Sequence, residues 1–192
     1  MSQLEQLKKY VIDKTFNKEF IYHKWFYEYH LKFVEQLAKE LCELYPQADS
    51  NIVQIMVRIH DYDKISDIWH HNRDVEYAKL LQNFNFDDST IQTSIQYIDL
   101  MEKKNEIDIS QTPIEVQIIS SADGASHFVG PFMRIHRKDK HHKEIHELMQ
   151  DDIKKATKDR TRKITLPEVK KFIKPRYELF IEQAWKSPER FL

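Results

Sequence analysis

Residues 50–60 read SNIVQIMVRIH, and the fold class turns on them. Ile52, Val53, Ile55, Met56, Val57 and Ile59 are apolar almost all round a helical wheel, and Ser50 stands where an N-cap belongs. A helix of that kind is expected in the middle of a core. The β-branched content also suits a buried strand. The rest of the chain decides: no second stretch reads as a strand that could pair with this one, so residues 50–60 are read as helix.

Working outward, residues 24–45 predict a long helix with Phe26, Phe33, Leu37, Leu41 and Leu44 at helical spacing and Pro46 just beyond its end. His30 falls on the same stripe. Residues 3–16, 74–84 and 89–104 predict further helices, the last with Ile91, Ile95 and Ile98 as its apolar line, and residues 139–158 a charged one. Thr112-Pro113-Ile114-Glu115 reads as a capping box with Pro at the first helical position, opening a helix through Val116, Ile119 and Ala122 to Asp123. Thr165-Leu166-Pro167-Glu168 repeats the pattern before a last helix over 167–186, which Pro175 is expected to break or kink. The expectation is an all-α, single compact bundle of seven to nine helices spanning residues 1–192, with no repeat, linker or internal boundary.

Composition agrees. The 192 residues contain two glycines, where average usage of about 7% gives roughly 13. That scarcity argues against Gly-rich phosphate loops, dinucleotide fingerprints and turn-rich β folds. Both glycines, Gly124 and Gly130, lie close together, and Gly124 is expected to let the backbone approach an ion or substrate. The single cysteine, Cys42, excludes an intrachain disulfide and fits a reducing compartment. Residues 1–18 show no signal-peptide core and no stretch is apolar enough to span a membrane, so a cytoplasmic protein is expected. The net charge of −1 hides an asymmetry: residues 134–176 carry 15 Lys and Arg against 7 Asp and Glu. This basic segment reads either as a surface for phosphate-bearing partners or as one that packs on the acidic body or is solvated. His142 and His146 within it read as solvated surface.

Four side chains on apolar helices or at their ends suggest chemistry. His60-Asp61 closes the most apolar helix, where an imidazole and a carboxylate need partners and a metal ion would satisfy both. His30 lies on an apolar stripe, which by itself suits a hydrogen-bonded core residue equally well. Asp123 precedes Gly124, which by itself suits a turn.

Taken as an ordered set, these residues resemble the HD-domain superfamily of metal-dependent phosphohydrolases. His30-Leu31-Lys32-Phe33-Val34-Glu35-Gln36-Leu37-Ala38 is similar to the family's first-His helix, Ile59-His60-Asp61-Tyr62-Asp63-Lys64 to its L-H-D-I-G-K, and Ile118-Ile119-Ser120-Ser121-Ala122-Asp123 to its final I-x-S-D-A-D. The resemblance covers about residues 20–135 and leaves a basic helical extension, about 136–192, outside it. It implies a divalent ion (Mn, Fe, Co, Ni, Zn or Mg) on His30, His60, Asp61 and Asp123. Asp63 replaces the family's Gly, Ser121 its first Asp of D-A-D, and no His stands in residues 95–99, where many members carry a later ligand. The second-metal set of those members is therefore incomplete here.

The expected activity is hydrolysis of a phosphomonoester or phosphoanhydride of a nucleotide or other small phosphorylated metabolite. Asp61 and Asp63 are the catalytic carboxylates, and Lys64, His70, His71 and His127 the residues expected to meet substrate. Two imidazoles and two carboxylates suit such an ion, which polarises a phosphate and lowers a water's pKa from 15.7 towards about 7. Two alternatives belong to other classes: an HD-type nuclease or nucleic-acid binder using residues 134–176, and a non-catalytic module that senses a ligand.

Overall fold

Helices occupy most of the residues that the computed structural model describes, which are 1–23, 25–66, 72–136 and 142–185. In chain order they are α1 (Gln3–Thr15), α2 (Lys32–Leu44), α3 (Ser50–Ile59), α4 (Tyr62–Ser66), α5 (Arg73–Asn83), α6 (Asp88–Glu102), α7 (Ile114–Ser126), α8 (Phe132–His136), α9 (Ile145–Lys158) and α10 (Pro167–Trp185). Two π-helical turns, Tyr27–Leu31 and Asp159–Lys163, lead into α2 and out of α9. No strand occurs among the described residues, so the fold is all-α.

The apolar stretch at 50–60 is the hub. Every residue from Ile52 to Asp61 is buried, and α3 packs against α1, α2, α6 and α7. Removing Val53, Met56, Val57 and Ile59 from water stabilises the fold by about 1.5–3 kcal/mol each. One continuous core runs from Leu7 in α1 to Ile173 in α10. The helix begins one residue earlier than its first polar signal suggested: Asp49, not Ser50, is the N-cap, accepting from the N–H groups of Asn51 at 2.9 Å and Ile52 at 3.2 Å.

Neither T-x-x-E stretch forms a capping box, because tertiary partners take the carboxylates. Glu115 accepts the main-chain N–H of Asp49 at 2.9 Å and so ties the start of α7 to the start of α3, while Thr112 donates its hydroxyl back to Ile109 O. Glu168 accepts from the Tyr45 hydroxyl at 2.7 Å. Helix α10 runs through Pro175 unbroken. Helix α9 starts at Ile145, later than expected, and residues 137–141 lie outside the described region.

The first π turn rotates the face that α2 buries. Lys32 N–H reaches back five residues to Tyr27 O, which inserts one residue into the helical register. Phe26 and His30 are buried as expected, but beyond them the inward line is Leu31, Val34, Ala38 and Leu41. Phe33 and Leu37 are only partly buried and Leu44 is 60% exposed.

Candidate metal centre

The N-terminal end of α2 and the C-terminal ends of α3 and α7 meet at one place. The three helices pack on one another, and each contributes side chains there. The free carbonyls at the two C-terminal ends favour positive charge in the space between them.

Three buried imidazoles face that space, and their hydrogen bonds fix the same tautomer in each. His60 Nδ1 lies 3.1 Å from Val57 O; a carbonyl only accepts, so Nδ1 carries the proton. His60 Nε2 is then a lone pair, buried and without a hydrogen-bond partner. His30 Nδ1 lies 2.9 Å from Ser126 Oγ. That hydroxyl already donates its one proton to Asp123 O at 2.7 Å, so it accepts from His30 and leaves Nε2 as a lone pair. His127 Nδ1 lies 2.7 Å from Asp159 Oδ2 and donates to it, with the same consequence.

These lone pairs point at carboxylate oxygens. His30 Nε2 is 3.1 Å from Asp61 Oδ2 and 3.8 Å from Asp123 Oδ1. His60 Nε2 is 3.7 Å from Asp61 Oδ2, and His127 Nε2 is 3.5 Å from Asp123 Oδ1. Two overlapping triads result, His30–His60–Asp61 and His30–Asp123–His127, each with its ligand atoms within 4.8 Å of one another.

The protonation states are those a metal needs. Burial lowers the His30 pKa against the pull of Asp61 and Asp123. Burial, aided by Lys155, pushes His127 down to about 3 against Asp159 and Asp123. Burial alone would raise the Asp61 and Asp123 carboxyls. Lys64 beside one and Lys163 beside the other outweigh it and hold both well below the usual carboxylate range. The neutral rings of His30 and His127 then turn lone pairs toward ionised oxygens, an acceptor-to-acceptor contact that a cation between them relieves. Bonds of about 2.0–2.2 Å put neighbouring ligand atoms roughly 3 Å apart, close to the separations here. Imidazole and carboxylate donors together suit first-row divalent ions.

Of the residues singled out in the sequence, His30, His60, Asp61 and Asp123 come together although 93 positions separate the first from the last. Asp63 belongs to neither triad; it sits in α4, its N–H 3.4 Å from the Tyr77 hydroxyl. Lys64 pairs with Asp61 Oδ1 and keeps 55% of its side chain exposed. His70 and His71 lie outside the described residues. His127 reaches the centre because α7 continues to Ser126, three residues past its expected end. Its Nε2 faces Asp123 Oδ1 at 3.5 Å, on the side of the ring turned away from Asp159. Gly124 also differs from expectation. A Cβ there would lie 2.9 Å from Ile164 Cγ1 and 3.1 Å from Lys163 Cβ, so the glycine admits the chain's own segment, not an ion or substrate.

Sequence reasoning missed Ser126, Asp159 and Lys163. Asp159 is fully buried and carries Lys155 at 3.4 Å as well as His127; Lys163 Nζ is 2.5 Å from Asp123 Oδ2. Part of the basic segment thus packs on the acidic centre. His146 and His142 are exposed. A cleft of about 490 Å³ reaches Lys64 from outside, lined also by Lys14, Asn17, Phe20, Tyr22 and Ser66, a size that suits a small molecule. No described helix is long and apolar enough to cross a membrane.

Comparison with protein-family models, curated proteins and solved structures finds no match to this chain.

Proposed function

We propose that this chain is a metal-dependent phosphohydrolase of the HD type. Its substrate is a nucleotide or other small phosphorylated metabolite cleaved at a phosphomonoester or phosphoanhydride bond. The observation that carries the reading is the convergence of the buried Nε2 atoms of His30 and His60 on the carboxylates of Asp61 and Asp123. These four residues hold the ion. A divalent ion in that position polarises a phosphate oxygen and lowers the pKa of a water.

The remaining groups bind and orient. Lys64 faces the cleft with its ammonium beside Asp61 and offers a point charge to a phosphate oxygen. Asp63, half-buried two residues after Asp61, is the carboxylate assigned to accept a proton. Lys163 fixes the outer oxygen of Asp123, and Lys64 that of Asp61, so each carboxylate turns its other oxygen inward. Lys155 and Lys163 spend their charge inside the protein, which weighs against a nucleic-acid surface built from the whole basic segment.

The test is hydrolysis of p-nitrophenyl phosphate and a nucleotide panel in the presence of Mn²⁺, Co²⁺ or Ni²⁺. The proposal expects phosphate release that chelator and Asp61→Ala both abolish. Metal binding with no turnover on any substrate would overturn it in favour of a sensing module.

A further inference from the structure

We infer that His127 is a third imidazole ligand of the metal, held in place by Asp159, so that the last third of the chain builds part of the centre. The inference rests on the proposed metal site and extends its ligand set beyond the four residues of the resemblance.

His127 is the C-cap of α7, four residues after Asp123, and therefore on the same face one turn on. Its ring is buried and stacked on His30 at 5.6 Å between centroids, with planes 13° apart. Nδ1 donates to Asp159 at 2.7 Å, and Asp159 is wholly buried in the π turn that follows α9. A carboxylate behind one ring nitrogen orients the other and raises its basicity, as outer partners of metal-bound histidines do. Here the other nitrogen, Nε2, stands 3.5 Å from Asp123 Oδ1, within the spread of separations found among the other four residues. A hydrogen-bonded core histidine has no need of a buried carboxylate on one nitrogen and a second carboxylate facing its lone pair. A ligand has need of both.

The ligand set becomes three neutral nitrogens and two carboxylates, and the charge of a divalent ion is balanced. A third imidazole favours Fe²⁺, Co²⁺, Ni²⁺ or Zn²⁺ over Mg²⁺, which prefers oxygen.

The experiment is Co²⁺ titration of the full-length protein, followed by visible absorption and by competition with a chelator. His127→Asn keeps a donor for Asp159 and deletes Nε2; Asp159→Asn keeps the ring and removes its support. The inference expects one Co²⁺ per chain in the wild type. It expects Asp159→Asn to weaken binding about 10–100-fold and His127→Asn to weaken it further, with a changed absorption spectrum. In His127→Ala, added imidazole restores the wild-type spectrum. Wild-type affinity and spectrum in folded His127→Asn overturn the inference. Should that variant not fold, wild-type affinity and spectrum in Asp159→Asn overturn it instead. Loss of Co²⁺ in His30→Ala alongside full binding in His127→Asn refutes this inference alone. Indifference of binding to both His30→Ala and Asp61→Ala refutes the proposed centre itself.

Discussion

Ser126 accepts the Nδ1 proton of His30 at 2.9 Å, 96 residues away in sequence, while its own proton goes to Asp123 O. One buried hydroxyl thus joins the π turn before α2 to the last turn of α7 and sets the tautomer that His30 presents. Ser126→Ala removes the acceptor and leaves a buried N–H unpaired. It should cost about 1–3 kcal/mol of stability, and the freed ring should bind metal about 10–100-fold more weakly. Proton–nitrogen correlation spectra of the histidines report the tautomer directly. An unchanged tautomer with unchanged Co²⁺ affinity would count against this role.

A cation between the imidazoles and carboxylates also relieves repulsion built into the folded state, so metal and stability should be linked. Co²⁺ at 100 times its Kd should add about 2.7 kcal/mol if it binds the folded chain alone. For a chain of this size that is roughly 5–10 °C in Tm. Chelator should reverse the shift, and His30→Ala should show none. A Tm indifferent to metal in differential scanning calorimetry would remove the main support for the centre.

The helices and the His60-Asp61 pair are readable because their signals are local, whereas His30 and Asp123 stand out only through the ordered resemblance. Residues 52–59 are apolar in an unbroken run, and His60-Asp61 follows at a place where polar groups need partners. The buried stripe that runs from α9 into the π turn after it was not readable. Asp152, Ala156, Asp159 and Lys163 recur at helical spacing and are all buried, but three of the four are charged, so an apolar-periodicity reading passes over them. Their burial makes sense only with the partners in place, and for Asp159 and Lys163 those include His127 and Asp123 on α7. The misread caps have a similar cause. A T-x-x-E pattern states what is available within four residues, whereas Asp49 and Tyr45 compete for the same carboxylates from across the fold. The rotated face of α2 follows from a π turn, for which spacing in the sequence gives no signal.

Arg58 and Glu35 form a pair whose consequence is acid sensitivity. Arg58 is 2% exposed and donates to Glu35 at 2.7 Å, and Lys8 and Lys39 reach the same carboxylate at 2.7 and 2.8 Å. Burial would raise the Glu35 carboxyl, but the bonds from Lys39, Lys8 and Arg58 outweigh it and bring it down to about 2 from 4.5. A depressed carboxyl stabilises the fold above its unfolded pKa, and that contribution drains away as pH falls from about 4.5 through about 2. Glu35→Gln leaves a guanidinium buried without its countercharge and should cost about 3–5 kcal/mol at neutral pH. The variant should also flatten the acid limb of a stability–pH curve measured by urea unfolding. A variant as stable as the wild type at pH 7 would show that the Glu35 charge adds nothing net to the fold and would overturn the reading.

Gly124 lies in the last turns of α7 where the segment leaving α9 crosses it, and the crossing decides what an alanine there does. Alanine in a helix gains about 1 kcal/mol over glycine. Its Cβ, however, would meet Ile164 Cγ1 at 2.9 Å and Lys163 Cβ at 3.1 Å, and overpacking of this kind costs about 1–3 kcal/mol. Crowding should win, with Gly124→Ala lowering Tm. The displacement falls on the residues that Ser120 and Ser121 hold, through Ser120 to Lys163 O at 3.0 Å and Thr165 N–H to Ser121 at 3.1 Å. Lys163 should therefore shift from Asp123, and metal affinity should change along with stability. A raised Tm with unaltered Co²⁺ binding would mean that Ile164 swings aside freely, leaving the glycine without a structural reason.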